Sequence, residues 1–417
     1  MINKINVKNF KSIADLSLSF GRINLFIGEN GSGKSTILEA IAFASAAEAG
    51  KLDAEFLENR GIRVTHPKLM RSQFSDDENV SPIVIELTVD DACGSRKYKI
   101  NNENETYSEW KIETESKVDD DDVSLEEIYQ KTSEYKLILD MLKTPAFIKL
   151  KDNFGKDDKE FQAILDEVTS KDFLKKVNRV SNYASATDKA LTAKLSMLHG
   201  FVIYTPQYKQ LLWLMREGAV RPLGIYGEGL FTLIKEITNK QQDALSDIED
   251  GLRLIGWYDS MQLESPDISS GDGDVINIKD KYLSCLITQK SANEGFLYVL
   301  FYLAAIVSSD TPKIFAIDNI DTALNPKLCA KIMSYIAFLA KKYDKQIFLT
   351  TQNPATLDGL NLDDDEQKLF IASRKRNGST TIKEFPRDKA PKNKSGDKIR
   401  LSEAMIRGYI GGLPKGF

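Results

Sequence analysis

A chain of 417 residues, 42% hydrophobic and 28% charged, has ample material for a buried core and the composition of a globular protein. Its apolar runs fall short of the length that crosses a bilayer, and a formal net charge of −5 gives no overall mark of nucleic-acid binding. Cys93, Cys285 and Cys329 are far apart and odd in number, which argues against a disulfide framework or zinc cluster; they are expected as buried small apolar residues, and His66 and His199 leave little scope for histidine catalysis.

The N-terminus begins at once with strand-like alternation (Ile5, Val7, then Phe10, Ile13, Leu16, Leu18, Phe20) and lacks the blocks of a signal peptide, so a cytoplasmic protein is expected. A short apolar strand, Arg22 to Ile27, then runs into Gly28-Glu29-Asn30-Gly31-Ser32-Gly33-Lys34-Ser35, and Thr36 to Ala44 reads as a helix that stops near Gly50. Every fixed position of G-x-x-x-x-G-K-[ST] is present, in the strand, loop, helix context that the motif needs. Glycines let such a loop wrap closely enough for backbone N–H groups to point at phosphate oxygens, and the positive end of the helix favours the anion. Lys34 is expected on the β and γ phosphates, and the Ser35 hydroxyl on Mg2+.

Ser81 to Val89 and Lys97 to Ile100 look like antiparallel strands. From about Asn101 to Gly200, after the acidic run Asp119 to Asp122, the pattern is charged and helical (Leu125 to Leu142, Lys159 to Val177), as in an inserted subdomain too short for a long coiled coil. Phe201 to Tyr204 is a strand candidate, Gly229 to Asp247 a helix, and Val275 to Ile278 and Leu283 to Ile287 strands. Phe296 to Ile306 is apolar nearly all round and predicts a buried helix, with Ser291 to Gly295 at its start. Lys313 to Asp318 is an apolar run ending in a carboxylate, the pattern of a buried parallel strand whose tip faces Mg2+, a Walker B candidate. A helix from about Lys327 to Lys342 and a second buried strand, Gln346 to Thr351, complete a βαβ unit. Leu369 to Ala372 and Thr380 to Lys383 predict a hairpin across Asn377-Gly378.

Taken together, Ile5 with Asn9-Phe10-Lys11-Ser12-Ile13, the loop Gly28 to Thr36, and Asp318-Asn319-Ile320-Asp321-Thr322-Ala323-Leu324-Asn325-Pro326 resemble the ABC-type ATPases of the RecF and SMC class. More narrowly, they resemble the stand-alone bacterial ATPases of phage-defence systems such as OLD, Septu and PARIS. The resemblance implies an α/β P-loop head, a mixed core sheet flanked by helices plus an antiparallel β lobe, interrupted by a helical insert. The expected division is 1–100 and 201–385 for the two parts of the head, 101–200 for the insert, and 386–417 for a basic, glycine-rich tail. It also implies ATP and Mg2+ as cofactors, with Gly28, Asn30, Gly31, Ser32, Gly33, Lys34, Ser35 and Thr36 around the nucleotide, and Ser35 and Asp318 on the metal. Gln73, by spacing, is a further candidate there as the Q-loop glutamine.

In this class two ATPs are sandwiched between two heads, each facing the partner's signature motif, so a homodimer or higher oligomer is implied. The matching stretch is Ser291 to Gly295; either Ser291 or Asn293 stands at the signature serine, and Asn293-Glu294-Gly295 also reads as a plain helix cap. The chain departs from the class in two places. Asn319 stands where a glutamate polarises the attacking water, and Gln352 replaces the switch histidine. An amide cannot accept a proton as a carboxylate does, and Asp321, the nearest other carboxylate, matches the D-loop position. The expected function is therefore an ATP-gated dimeric switch with slow hydrolysis that holds or releases a toxic effector, such as a nuclease encoded nearby, in antiphage defence. A non-hydrolysing ATP-binding scaffold and a RecF-like DNA-repair ATPase are the alternatives. The last draws on the excess of Lys and Arg between Arg374 and Arg400, including Lys389, Lys392, Lys394 and Lys398, which a solvated face explains equally well.

Overall fold

The computed structural model describes residues 1–74, 80–90, 94–105, 108–117, 189–212, 222–264, 275–386 and 399–410. In chain order, β1 (Lys4–Phe10) and β2 (Ile13–Ser19) form a hairpin, β3 (Ile23–Gly28) enters the glycine loop and α1 (Lys34–Glu48) leaves it. Strands β4 (Ile83–Asp90), β5 (Gly94–Asn101) and β6 (Lys111–Lys117) extend the hairpin into an antiparallel sheet of order β2-β1-β4-β5-β6. After β7 (Ile203–Tyr204) come α2 (Leu230–Lys240), α3 (Gln242–Arg253) and a smaller antiparallel sheet of β8 (Tyr258–Glu264), β9 (Val275–Asp280) and β10 (Leu286–Thr288). The chain continues through α4 (Glu294–Val307), β11 (Ile314–Ile317), α5 (Pro326–Lys342), β12 (Gln346–Thr351), β13 (Gln367–Arg374), β14 (Thr380–Glu384) and α6 (Leu401–Ile406).

The central sheet has the order β14-β13-β3-β12-β11-β7, parallel except for the β13–β14 hairpin at Gly378. Alternation along its strands builds two cores. On one face Ile23, Leu25, Ile27, Phe315, Ile317 and Leu349 join the cluster that contains α4 and α5. Phe26, Phe348 and Phe370 point the other way, onto α1 and the antiparallel sheet, with the Phe26 and Phe370 rings stacked at 4.8 Å. Each such side chain contributes about 1.5–3 kcal/mol by leaving water. Lying between two sheets, α1 is buried from Thr36 to Ala47 on every face, which is why it carries almost no charge beyond Lys34, Glu39 and Glu48. Among the described residues no helix is long and apolar enough to cross a membrane.

Several expectations need correction. The single helix read over Gly229 to Asp247 is two: Gln241 (φ −139, ψ 68) breaks it, and each piece lays its own apolar face, Phe231 and Ile234 or Ile248 and Leu252, into the core. The strand read as Leu283 to Ile287 is displaced to Leu286–Thr288, leaving Leu283 and Cys285 exposed at a turn. Cys285 is thus not a core residue, whereas Cys329 is. β6, which falls in the stretch 101–200 assigned to the helical insert, is a strand of the antiparallel sheet. The acidic run Asp119 to Asp122 and the helical stretches Leu125 to Leu142 and Lys159 to Val177 lie outside the described residues, as do Cys93 and Lys389 to Lys398. In the tail, α6 docks on the chain's own core: Ala404, Met405 and Ile410 are buried, and Ser402 donates through N and Oγ to the Asp358 carboxylate at 2.9 and 2.6 Å.

A buried amine ties the turn after α4 to β12. Lys345, 3% exposed, donates through Nζ to the carbonyls of Ser308, Thr311 and Pro312 and to the Thr311 hydroxyl at 2.8 to 3.2 Å. Burial, and secondarily Lys313, push its pKa down from 10.5 to about 8. Between those values the unfolded chain holds a proton that the folded chain has released, so this group makes stability rise with pH across the window. Urea unfolding of the wild type is expected to gain up to about 3 kcal/mol on Lys345→Met across that window; parallel pH curves would refute the assignment.

Candidate functional site

The glycine loop is braced from behind. Arg374 Nε donates to Gly31 O at 2.6 Å, and Thr380 Oγ1 donates to Ser32 O at 3.1 Å while sharing a 2.7 Å hydrogen bond with Ser12 Oγ. With those carbonyls occupied, the N–H groups of Asn30, Gly31 and Gly33 have no acceptor among the described residues, and the buried Ser32 Oγ has no partner there either. Unsatisfied donors gathered before a helix N-terminus form a cradle for an anion. Glycine is required for two reasons: Gly33 has φ +101 and a Cβ there would lie 2.2 Å from Thr380 Oγ1, while a Cβ on Gly28 would lie 2.2 Å from the Ala372 carbonyl oxygen. Lys34 Nζ donates to Gly28 O and Glu29 O at 2.7 and 2.9 Å. Burial lowers its pKa, and Asp318, Asp321 and Glu29 act against that, holding a cation in the loop.

Parallel register places the tips of β3, β11 and β12 side by side, and the acidic groups follow. Ser35 Oγ donates to Asp318 at 2.9 and 3.2 Å. Thr350 Oγ1 donates to Asp318 Oδ1 and accepts the Asn319 N–H at 2.8 Å, and Thr351 Oγ1 donates to Asp321 Oδ1 at 2.8 Å. Asn319 has φ +57, a conformation that asparagine tolerates better than most residues. Its side chain and that of Gln352 are exposed and make no hydrogen bond among the described residues. Both amides therefore stand at the strand tips without a structural task.

A pocket of about 510 Å3 opens beside Ser35 and Asp318, with Glu39, Arg63, Thr205 and Tyr226 on its walls. Glu39, its side chain 2% exposed, accepts from Lys11 Nζ and Arg63 Nε, each at 2.8 Å. One buried carboxylate thus fixes a pair of cations. Burial lowers the Lys11 pKa and Glu39 opposes that; the Glu39 hydrogen bond raises the Arg63 pKa.

The other anticipated residues stand elsewhere. Asn293 is the N-cap of α4, its Oδ1 accepting from Phe296 N at 2.8 Å, and Ser291 ends the turn Gln289–Ser291; both are exposed. Gly295, half-buried, packs on the turn after Asp321, where a Cβ would lie 3.0 Å from Ala323 O. Among the described residues no hydrogen bond links Ser291, Asn293 or Gly295 to the glycine loop or Asp318. Gln73 donates through Nε2 to Lys68 O at 3.0 Å and makes no hydrogen bond to Ser35 or Asp318, so no contact draws it into the candidate metal site.

Residues 4–249 match the family model described as an AAA domain, more than half of the chain. The chain belongs to the AAA domain family. Beyond that match, residues 290–358 fit a second model, described as an AAA domain whose proposed identity is an AbiEii toxin of a type IV TA system. Among solved structures, an SMC head bound to the C-winged helix domain of ScpA superimposes with a TM-score of 0.55 at 14% identity, covering 94% of this chain and 99% of that one, a likeness of fold. A stretch of 51 residues is 45% identical to an uncharacterized protein of Methanocaldococcus jannaschii, covering 12% of this chain and 23% of that relative. The matched stretch thus spans less than a quarter of the curated relative. Family and fold together describe an AAA-type ATPase domain built as an SMC-like head.

The residues present fit a nucleotide triphosphate and a divalent cation. Orphan N–H groups, the unpartnered Ser32 hydroxyl and Lys34 suit phosphates. Among the described residues no group of three or more His, Cys, Asp or Glu could hold a metal alone; one hydroxyl and one carboxylate are the donors expected of a site completed by phosphate oxygens and water.

Thr350, Thr351, Glu39, Arg374 and Thr380 carry no motif that marks them in the sequence. The one local signal is the Thr350-Thr351 pair ending a buried strand beside Gln352. Thr350→Val removes the donor to Asp318 and strands the Asn319 N–H, so a loss of about 1–3 kcal/mol in denaturant unfolding is expected, largely restored by Thr350→Ser.

Proposed function

We propose that this AAA domain is a Mg-ATP-gated switch with slow turnover. The loop Gly28 to Ser35, with Lys34, would hold the phosphates, and Ser35 and Asp318 the cation, which supplies charge neutralisation when bound. The observation that carries the reading is the pairing of an anion cradle, Lys34 and the Ser35–Asp318 contact with two idle amides, Asn319 and Gln352, at the strand tips. An amide can orient water but cannot take its proton, so occupancy outlasts chemistry.

Ser291, Asn293 and Gly295 make no hydrogen bond to the loop of their own chain among the described residues, and the first two are exposed, which suits contact with nucleotide held by a second copy. Residues 1–100 and 201–385 would then act as one head together with β6, the remainder of 101–200 as its insert and 386–417 as its tail. In the closed state the dimer would hold or release a toxic effector in antiphage defence, a reading that the match to the AbiEii-type model favours. Light scattering of the full chain tests closure: Mg-ATP is expected to double the mass, whereas a mass unchanged by nucleotide overturns the dimeric gate. A scaffold without turnover is the second reading, favoured by the same two amides. Phosphate release indistinguishable between wild type and Lys34→Ala would select it.

A further inference from the structure

A groove of about 900 Å3 runs between the start of α5, the turn Pro354–Gly359 and α6. One wall is basic. Lys327 and Lys331, at i and i+4 on α5, face the groove with Arg400 across from them, and among the described residues none of the three makes an ion pair. Asp358 is the carboxylate lining the groove, and it is already engaged by Ser402. Around Arg400 the opposite wall is apolar: Ile399, Leu401 and Ile406 line it, and Ile406 is 66% exposed. An excess of cations facing an exposed aliphatic residue complements an acidic segment with apolar anchors. A phosphate backbone would use the cations and leave Ile406 in water.

We infer that this groove is a docking site for an acidic, aliphatic-anchored peptide segment of a protein partner. Its place gives the contact a consequence. Asn353, which follows Gln352 directly, also lines the groove, caps the turn Pro354–Gly359 by accepting from Ala355 N at 3.0 Å, and donates to Cys329 Sγ at 3.5 Å. A segment seated between α5 and α6 therefore presses on the turn that sets where Gln352 stands, so the partner and the strand tips share one element.

The test is a random-peptide display selection against the full chain, with enriched peptides synthesised and their affinities measured for wild type, Lys327→Glu/Lys331→Glu and Ile406→Ser. Enrichment of acidic sequences bearing Leu, Ile or Phe is expected, with each variant weakening them about tenfold or more and circular dichroism melts unchanged. Failure to enrich acidic sequences overturns the proposal, as does equal binding by the variants. A duplex oligonucleotide that binds wild type, competes with the peptides and is lost in the charge-reversal variant would assign the groove to nucleic acid and overturn it too. Because Ile406→Ser leaves every charge in place, it separates the apolar anchor from simple electrostatic attraction.

Discussion

Lys34→Ala is expected to reduce Mg-ATP affinity a hundredfold or more, the largest single effect in the molecule. The amine is buried in the loop and bound to Gly28 O and Glu29 O. Charge-assisted hydrogen bonds contribute about 1.5–3 kcal/mol each, and losing two of them to phosphate oxygens exceeds the roughly 2.7 kcal/mol that separates affinities a hundredfold apart. Calorimetric titration measures this directly, and thermal melting gives a second readout because ligand that binds only the folded state raises the midpoint. The variant should melt near the wild type without nucleotide and gain nothing from it. Retention of a wild-type ATP-induced shift would show that the loop does not hold the phosphates.

Asn319→Glu is expected to raise phosphate release by about a hundredfold, within the range that a positioned general base contributes. The position is prepared for it: Thr350 Oγ1 accepts the Asn319 N–H, so the backbone is anchored while the side chain is exposed at the strand tip. The substitution has a cost, since glutamate at φ +57 is strained by about 1–2 kcal/mol, and a melting point lower by about one to two degrees should accompany the gain. ATP affinity should be nearly unchanged, because the new carboxylate acts on water rather than on the phosphate cradle. An unaltered rate in a folded, ATP-binding variant would show that the missing carboxylate is not what limits turnover. In that event Gln352 would be the next position to restore.

Residues whose roles depend on near neighbours are legible in the amino-acid sequence. The apolar run into Gly28, the glycine loop and α1 form one local unit, and the buried strands ending at Asp318 and Thr351 declare themselves by length and composition. The hairpin at Asn377-Gly378 is legible for the same reason, since the turn needs Gly378 at φ +84. What stays hidden depends on register. Arg374 reaches Gly31 across 343 positions and Thr380 reaches Ser32 across 348, contacts that exist only once β13 has paired with β3. The break at Gln241 is hidden because α2 and α3 each carry a good apolar face and only their shared support, α4, decides that the faces diverge. Asn293 reads in the sequence as part of a signature, with a plain cap as the alternative. The cap is what its Oδ1 does here, and a cap leaves its exposed edge available to a second copy.

The position of β3 in the central sheet also governs how the molecule is made. Its two neighbours, β12 and β13, are both supplied by the far end of the chain, and the Ile2 backbone N–H is received by Gln346, 344 positions later. At synthesis rates of about 5–20 residues per second, the nascent glycine loop and α1 wait roughly a quarter of a minute to a minute for the strands that will cover them. During that interval Phe26, Ile37, Ile41 and Phe43 have the antiparallel sheet on one side and only an unfinished central sheet on the other. Ribosome-bound fragments should therefore be protease-sensitive and dependent on chaperones until β12 and β13 emerge, and nucleotide binding should arrive in one step, late, with the last pairing of the sheet.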